Sequence, residues 1–297
     1  MISTDRRHAA AASSAPHSTS RKDQSRSLAR QLRGLALACH PGPVVAVTAV
    51  SVGYAASRHR SPHGIVLVAL AVLAGQLSTG WQNDALDAEE DRRNERRTKP
   101  IVAGYVTRSR VATAAVLAGF ACIPLSLASG WKAGAIHLAA VAFALAYNLK
   151  LKATVISALC YAAAFGALPV FIASGAPGAP LGPWWAAAAA AALGVGAHVV
   201  NTLPDREADL ASGTLGLPQR LSVRTDALLA GAAFVSAAGA LSFGPGHLNL
   251  VRTLSFALSG AGGLAIAGLS ARHGRLAFRL CLVLAALDVA LLLLVSR

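Results

Sequence analysis

The chain has 297 residues, of which 55% are hydrophobic and only 13% are charged. Soluble globular domains have about 25% charged residues, so the composition argues against an ordinary soluble protein. The net charge is +14, but the basic residues lie in short segments between apolar runs. Because no basic and aromatic platform accompanies them, nucleic acid is not expected as a partner.

The N-terminal residues 1–33 are polar and rich in Ser, Ala and Arg. They contain no apolar block, which predicts a disordered basic cytosolic tail rather than a signal peptide. Residues 34–297 then carry nine apolar segments, each close to the ~20 residues that a helix needs to span a bilayer. The segments are 35–57, 64–82, 110–129, 132–149, 153–174, 184–201, 224–243, 249–270 and 274–296. The predicted fold is therefore all-α, a polytopic membrane bundle of nine transmembrane helices around a central cavity.

The distribution of basic residues predicts the orientation of this bundle. With the N-terminus inside, 22 of the 27 Lys and Arg residues fall in the tail and the inner loops. Positively charged residues favour the cytosolic side, so the chain is expected in the cell membrane with its N-terminus cytosolic and its C-terminus outside.

Nine of the thirteen acidic residues lie in two short clusters at the ends of segments 2 and 6. Each cluster has an amide and two carboxylates at i, i+4 and i+8: Asn83, Asp87 and Asp91 in the first, and Asn201, Asp205 and Asp209 in the second. On a helix, each set forms one polar stripe. Even-numbered spans run from outside to inside, so both stripes are expected at the cytosolic face.

Two carboxylate stripes brought together require a positive partner. Carboxylate and amide oxygens suit Mg²⁺, which commonly shares its coordination with a phosphate. Basic residues follow both clusters and the inner end of segment 4, and Lys and Arg suit phosphate oxygens. The simpler interpretation is a solvated loop face with the usual inner positive charges, but it does not explain why the spacing occurs twice.

These motifs resemble those of the UbiA superfamily of intramembrane prenyltransferases, the group of 4-hydroxybenzoate polyprenyltransferase. The family motif NDxxDxxxD is matched in full at 83–91, and DxxxD is matched by Asp205 and Asp209. "SGTLGLP", "KPIVAG" and "YNLKLK" are similar to further family segments, so the resemblance covers nearly the whole chain from about residue 34.

The resemblance implies that Mg²⁺ binds the diphosphate of an isoprenoid and that the lipid tail lies in an apolar tunnel open to the bilayer. The candidate metal ligands are Asn83, Asp87, Asp91, Asn201, Asp205 and Asp209. The candidate catalytic carboxylates are Asp84, Asp87, Asp91, Asp205 and Asp209, and either Asp84 or Asp91 is an alternative base. The candidate diphosphate-binding residues are Arg97, Lys99, Tyr147, Lys150 and His198, the last on the helical face of Asn201.

The predicted reaction is prenyl transfer from the diphosphate to a small-molecule acceptor, in most cases an aromatic ring. A terpene cyclase of the same superfamily, which needs no acceptor, is the alternative. A cation transporter is disfavoured because the acidic stripes lie at helix ends rather than at mid-membrane. A soluble terpene synthase is disfavoured by the long apolar runs. Prenyl length, the acceptor and the oligomeric state do not follow from the sequence.

Overall fold

The computed structural model describes residues 21–176, 178–203, 206–247, 249–269 and 274–295. These residues form twelve α-helices and one short 3-10 helix, Leu151–Ala153. The helices are α1 Arg21–Ala38, α2 Pro41–Ser57, α3 Pro62–Arg93, α4 Arg108–Leu127, α5 Trp131–Leu149, α6 Ser157–Ser174, α7 Trp184–Thr202, α8 Arg206–Ser212, α9 Leu217–Arg220, α10 Val223–Phe243, α11 Leu250–Leu269 and α12 Gly274–Val295. The prediction of an all-α fold is confirmed.

The helices are long and apolar, as a membrane protein requires. In the described part of the chain, six helices (α3, α4, α5, α6, α7 and α10) are long and apolar enough to span a bilayer. The bent pair formed by α1 and α2 would raise the number to seven. The chain is thus a multi-pass membrane protein, whereas the predicted number of nine spans is not confirmed. Helices α11 and α12 correspond to the last two predicted segments.

The first predicted segment, 35–57, is not one continuous helix. It is divided between α1 and α2, which meet at an angle of 64°. The corner lies at His40, which has a positive φ of 58° and directly precedes Pro41. A residue before proline is disfavoured in the helical conformation, which explains why α1 cannot continue into α2.

The disordered tail predicted for residues 1–33 is corrected at its C-terminal end, because residues 21–33 belong to α1. This helix is attached to the bundle near its end, where the indole of Trp81 donates to the carbonyl of Leu35 at 2.9 Å. Gly34 lies directly against Tyr105 and Val106, which follow α3 in the chain. Residues 1–20 lie outside the described part of the chain.

Helix α3 extends beyond the membrane and carries the first acidic cluster on its last turns. Its 32 residues measure about 48 Å at a rise of 1.5 Å per residue, more than the ~30 Å hydrocarbon core. Ser61 caps the helix by accepting a hydrogen bond from the Gly64 amide at 3.1 Å. The cluster is therefore fixed on a regular helix at the end of a span.

The second acidic cluster differs from the prediction of one helical stripe. Helix α7 ends at Thr202, and α8 begins at Arg206. Asn201 and Asp209 consequently lie on two separate helices, while Asp205 lies outside the described residues. The sequence has a proline at position 204, a residue type without an amide hydrogen that often ends a helix.

Candidate functional site

A cavity of about 510 Å³ lies inside the bundle and has a polar and an apolar part. The polar part contains side chains from both acidic clusters together with basic residues and amides. They include Asn83, Asp87, Glu90, Asp91, Arg96, Lys99, Asn148, Lys152, Asn201, Asp209 and Gln219. The apolar part is lined mainly by aliphatic and aromatic side chains of α2, α3, α5 and α6. Both clusters therefore contribute to one cavity, as the sequence predicted.

In the first cluster, each aspartate is held by a basic residue from another segment. Asp87 accepts a hydrogen bond from Asn83 at 2.9 Å and forms an ion pair with Lys152. Asp84 is only 2% exposed and pairs with Lys99 at 2.9 Å. Lys99 also approaches Asp91 at 3.8 Å. The lysines thus balance much of the negative charge that would otherwise accumulate here.

Asp91 has a second basic partner, because Arg96 donates to its carboxylate at 3.4 Å. Arg96 and Lys99 both lie in the segment that follows α3. This segment turns back toward the helix end, with the Arg96 amide bonded to the Asp91 carbonyl at 2.9 Å. This turn explains how two cations that follow the end of α3 reach back to the acidic stripe on the helix.

His40 belongs to this site, although its sequence context gave no role for it. Its ring lines the cavity at the corner between α1 and α2, and Nε2 lies 3.7 Å from the Asp84 carboxylate.

The second cluster is positioned by a segment that the sequence analysis did not single out. Gln219 in α9 donates to the Asp209 carboxylate at 2.7 Å, and both side chains line the cavity. The Leu217 amide donates to Ser157 at 2.9 Å, which connects α9 to the start of α6. Glutamine at this spacing carries no distinctive sequence signal, so only the structure could reveal it.

Arg206 at the start of α8 is engaged in a structural network. Its guanidinium donates to the fully buried Asp226 at 2.8 Å and to the carbonyl of Pro218 at 2.6 Å. It also donates to the carbonyls of Gln219 and Leu221. Arg206 therefore fixes α8, α9 and the start of α10 relative to one another.

Aromatic residues of α5 and α6 meet in the wall of the cavity. Tyr147 and Tyr161 meet edge to face with 5.1 Å between ring centroids, and Phe165 stacks on Tyr161 at 6.0 Å. All three line the cavity. His198 contacts both tyrosines and is bonded to Ser157 at 3.0 Å.

Only some of the residues that were predicted to bind the diphosphate line the cavity. In the described part of the chain, the cavity lining includes Lys99 and Tyr147 but not Arg97, Lys150 or His198. Arg97 and Lys150 are exposed, and His198 is buried behind the tyrosines. Their near neighbours Arg96 and Lys152 reach the carboxylates instead.

Among the acidic residues, Asp84 is buried and paired with Lys99 rather than part of the described cavity lining. Glu90 lines the cavity, whereas Glu89 is exposed and pairs with Arg92. Helix geometry alone does not distinguish these positions, because the width of the cavity depends on the neighbouring helices.

The site was also tested for its fit to a divalent metal ion. Within the described residues, no group of three or more His, Cys, Asp or Glu side chains is gathered closely enough to hold a metal ion. Oxygens of Asn83, Asp87, Asn201 and Asp209 nevertheless line one cavity. This donor set consists of hard oxygen ligands, which suit Mg²⁺ when the remaining positions are filled by waters and phosphate.

The protein is a helical membrane bundle, and two acidic motifs meet at one cavity inside it. The cavity continues from these motifs into an apolar part, as expected of an intramembrane protein that binds an amphipathic molecule. The model of the UbiA prenyltransferase family matches residues 44–284. The chain belongs to this family, which confirms the resemblance inferred from the motifs. No curated protein matches the chain in sequence.

Solved structures of the same fold are similar over most of the chain. A digeranylgeranylglyceryl phosphate synthase aligns with a TM-score of 0.70 at 15% identity, covering 90% of this chain and 98% of its own. A UbiA homologue from Aeropyrum pernix K1 aligns with a TM-score of 0.69 at 20% identity, covering 84% and 98%. A UbiA homologue from Archaeoglobus fulgidus bound to GPP and Mg²⁺ aligns with a TM-score of 0.66 at 16% identity, covering 89% and 99%. These matches show the shared fold.

Proposed function

We propose that the protein transfers a prenyl group from an isoprenoid diphosphate to a small-molecule acceptor, an aromatic ring in the first instance, in a Mg²⁺-dependent reaction. The observation that carries this proposal is the single cavity in which both acidic motifs, basic residues and an apolar extension meet. The similarity to a UbiA homologue bound to GPP and Mg²⁺ supports it.

The polar part of the cavity is proposed to hold the diphosphate. Asn83, Asp87, Asp91, Asn201 and Asp209 of the described residues, together with Asp205, are the proposed metal ligands. Bound Mg²⁺ would supply Lewis-acid stabilisation of the leaving diphosphate. Lys99, Lys152 and Arg96 lie beside these carboxylates and can donate to phosphate oxygens.

The prenyl chain is proposed to extend from the polar part into the apolar part. The rings of Tyr147, Tyr161 and Phe165 line the cavity and can stabilise the allylic cation through their π-systems. The apolar walls exclude water and thereby favour attack by the acceptor over hydrolysis. Of the two carboxylates considered as a base, Asp91 lines the cavity, whereas Asp84 is paired with Lys99.

The orientation in the membrane is part of the proposal. Both acidic clusters lie at one end of the bundle, where α3 and α7 finish. The positive-inside distribution supports an orientation with this end at the cytosolic side of the cell membrane and the N-terminus also cytosolic. Water-soluble prenyl diphosphates would then reach the polar part from the cytosol. Labelling of single cysteines introduced at Arg97 and Lys132 in intact cells tests this, since only the second should react from outside.

The decisive experiment compares Asp87→Asn with Glu89→Gln in purified protein supplied with Mg²⁺, prenyl diphosphates and aromatic acceptors. Asp87 lines the cavity, whereas Glu89 is exposed and bonded to Arg92. Diphosphate release is expected to fall by at least about 100-fold in Asp87→Asn and to stay at the wild-type level in Glu89→Gln. Asp205→Ala is expected to abolish turnover as well.

Product analysis decides between the two candidate reactions. A prenylated acceptor supports the proposal, whereas a cyclic hydrocarbon formed without an acceptor supports a terpene cyclase. If wild-type protein releases no diphosphate from any chain length, or if Asp87→Asn remains fully active, the proposed function is wrong.

A further inference from the structure

The apolar part of the cavity contains one polar residue to which the proposed reaction gives no role. Most of the residues there are aliphatic, such as Val72, Val141 and Leu168, but His137 of α5 lines the cavity among them. Its side chain is only 2% exposed. A buried polar ring in an otherwise apolar region requires specific partners.

His137 is held rigidly by its surroundings. The Ser126 hydroxyl donates its one hydrogen to the Cys122 carbonyl at 2.6 Å. Nδ1 of His137 lies 2.8 Å from the same hydroxyl oxygen, so the ring must donate to it. On its face, the ring stacks against Phe171 with 4.5 Å between centroids. These contacts fix the ring plane as part of the cavity wall.

The residues behind His137 are closely packed. Phe171 and Ser126 are 0% exposed, and Cys122 is 1% exposed. Gly134, one turn before His137, lies against the backbone of Ser126 and Leu127, where a Cβ atom would come within 2.7 Å. The end of α4 and the start of α5 are thus in direct contact, and His137 lines the cavity next to this contact.

The depth of the cavity follows from the register of α5. Asn148 lies in the polar part, where it donates to Gln82 at 3.1 Å, and it is eleven residues from His137. At 1.5 Å per residue, the two positions are about 16 Å apart along the helix. An extended isoprene unit adds four carbon–carbon bonds of about 1.5 Å each, or roughly 5 Å of length. About three units therefore fit between them.

We propose that His137 is the floor residue that limits the prenyl donor to about three isoprene units, so that farnesyl diphosphate fits and geranylgeranyl diphosphate does not. This inference rests on the proposed function, because it assumes that the cavity holds a prenyl diphosphate. It differs from a tunnel that continues into the bilayer, in which chain length would have little effect.

The test is a chain-length series with geranyl, farnesyl and geranylgeranyl diphosphate in the wild-type protein. The kcat/KM for geranylgeranyl diphosphate is expected to be at least about tenfold below that for farnesyl diphosphate, since the fourth unit meets the floor. Equal use of the two donors would overturn the inference. Absence of turnover with all three would instead contradict the proposed function.

Two variants move the floor in opposite directions. His137→Ala removes the ring and is expected to shift the ratio at least about tenfold toward geranylgeranyl diphosphate, whereas His137→Phe keeps a ring and should keep the wild-type ratio. In Gly75→Ala, the added methyl would lie 2.9 Å from Val141 Cγ2 and 3.6 Å from His137 Cε1. It would therefore take up space in the apolar part beside His137, which should shift the preference toward geranyl diphosphate. Thermal stability of each variant is measured alongside, and an unchanged ratio in folded His137→Ala would also refute the inference.

Discussion

Removal of the Arg206 guanidinium is predicted to destabilise the segment that carries the second acidic motif. This side chain is the partner of Asp226, which is fully buried, and it donates to three backbone carbonyls. Removing one partner of a buried ion pair destabilises a protein by about 3–5 kcal/mol, because the remaining charge is left without compensation. Arg206 itself is 17% exposed, so the lower end of this range applies, about 3 kcal/mol.

The assay is thermal unfolding of purified Arg206→Ala in detergent. A loss of about 3 kcal/mol corresponds to a decrease of roughly 5 °C in Tm for a chain of this size. Arg224→Ala is the matched control, because Arg224 is an exposed arginine on α10, close in sequence to Asp226. This substitution should leave Tm within about 1 °C of the wild-type value. The double variant Arg206→Met with Asp226→Leu removes both charges and should recover most of the loss.

The same substitution should also weaken substrate binding. Arg206 holds the carbonyl of Gln219, and the Gln219 side chain holds Asp209. Loosening this connection is expected to raise the KM for prenyl diphosphate several-fold. An Arg206→Ala protein with wild-type Tm would show that the ion pair contributes no stability, and the reasoning would then fail.

Three further results are expected. Lys152→Gln should lower kcat/KM by about 10- to 100-fold, the value of one charge-assisted hydrogen bond, whereas Lys150→Gln should have little effect because Lys150 is exposed; equal effects would contradict the placement of Lys152 in the cavity. Gly80→Ala should lower Tm, because the added Cβ would overlap the Cys39 carbonyl oxygen. Gly42→Ala should not lower Tm, because the space around Gly42 is open. The same Tm for both variants would refute the close contact at Gly80. Removal of divalent metal with EDTA should abolish diphosphate release, and excess Mg²⁺ should restore it; full activity in EDTA would disprove metal dependence.

The sequence was a good guide to the fold because membrane helices are dominated by one physical requirement. A run of about 20 apolar residues satisfies its backbone internally, so the segments for α4 to α7 and α10 were predicted close to their observed bounds. Helix α3 continues well beyond the end predicted for its apolar segment, through the first acidic cluster to Arg93. Bends and interruptions depend on local backbone conformation instead. The corner at His40 and the break after Thr202 were missed for this reason, although the prolines at 41 and 204 are visible in the sequence.

The carboxylates of the site were predictable, whereas of their basic partners only Lys99 was predicted. The repeated spacing of Asn83, Asp87 and Asp91 has a helical period, and α3 carries it without interruption. Cations reach the site from irregular segments, where spacing does not determine which side chain points inward. Arg96 and Lys152 line the cavity while their neighbours Arg97 and Lys150 are exposed.

The lysine–carboxylate pairs couple the binding of cations and anions at the site. Lys99 holds Asp84 and approaches Asp91, and Lys152 holds Asp87. For the lysines to bind an anionic ligand, they must leave the carboxylates with which they are paired. The carboxylates then need another cation to balance their charge. Cation and anion should therefore each raise the affinity of the other by the same factor, as linkage requires. Calorimetry with Mg²⁺, inorganic diphosphate and both together measures this coupling, and independent binding of the two would show that the pairs do not restrain the lysines.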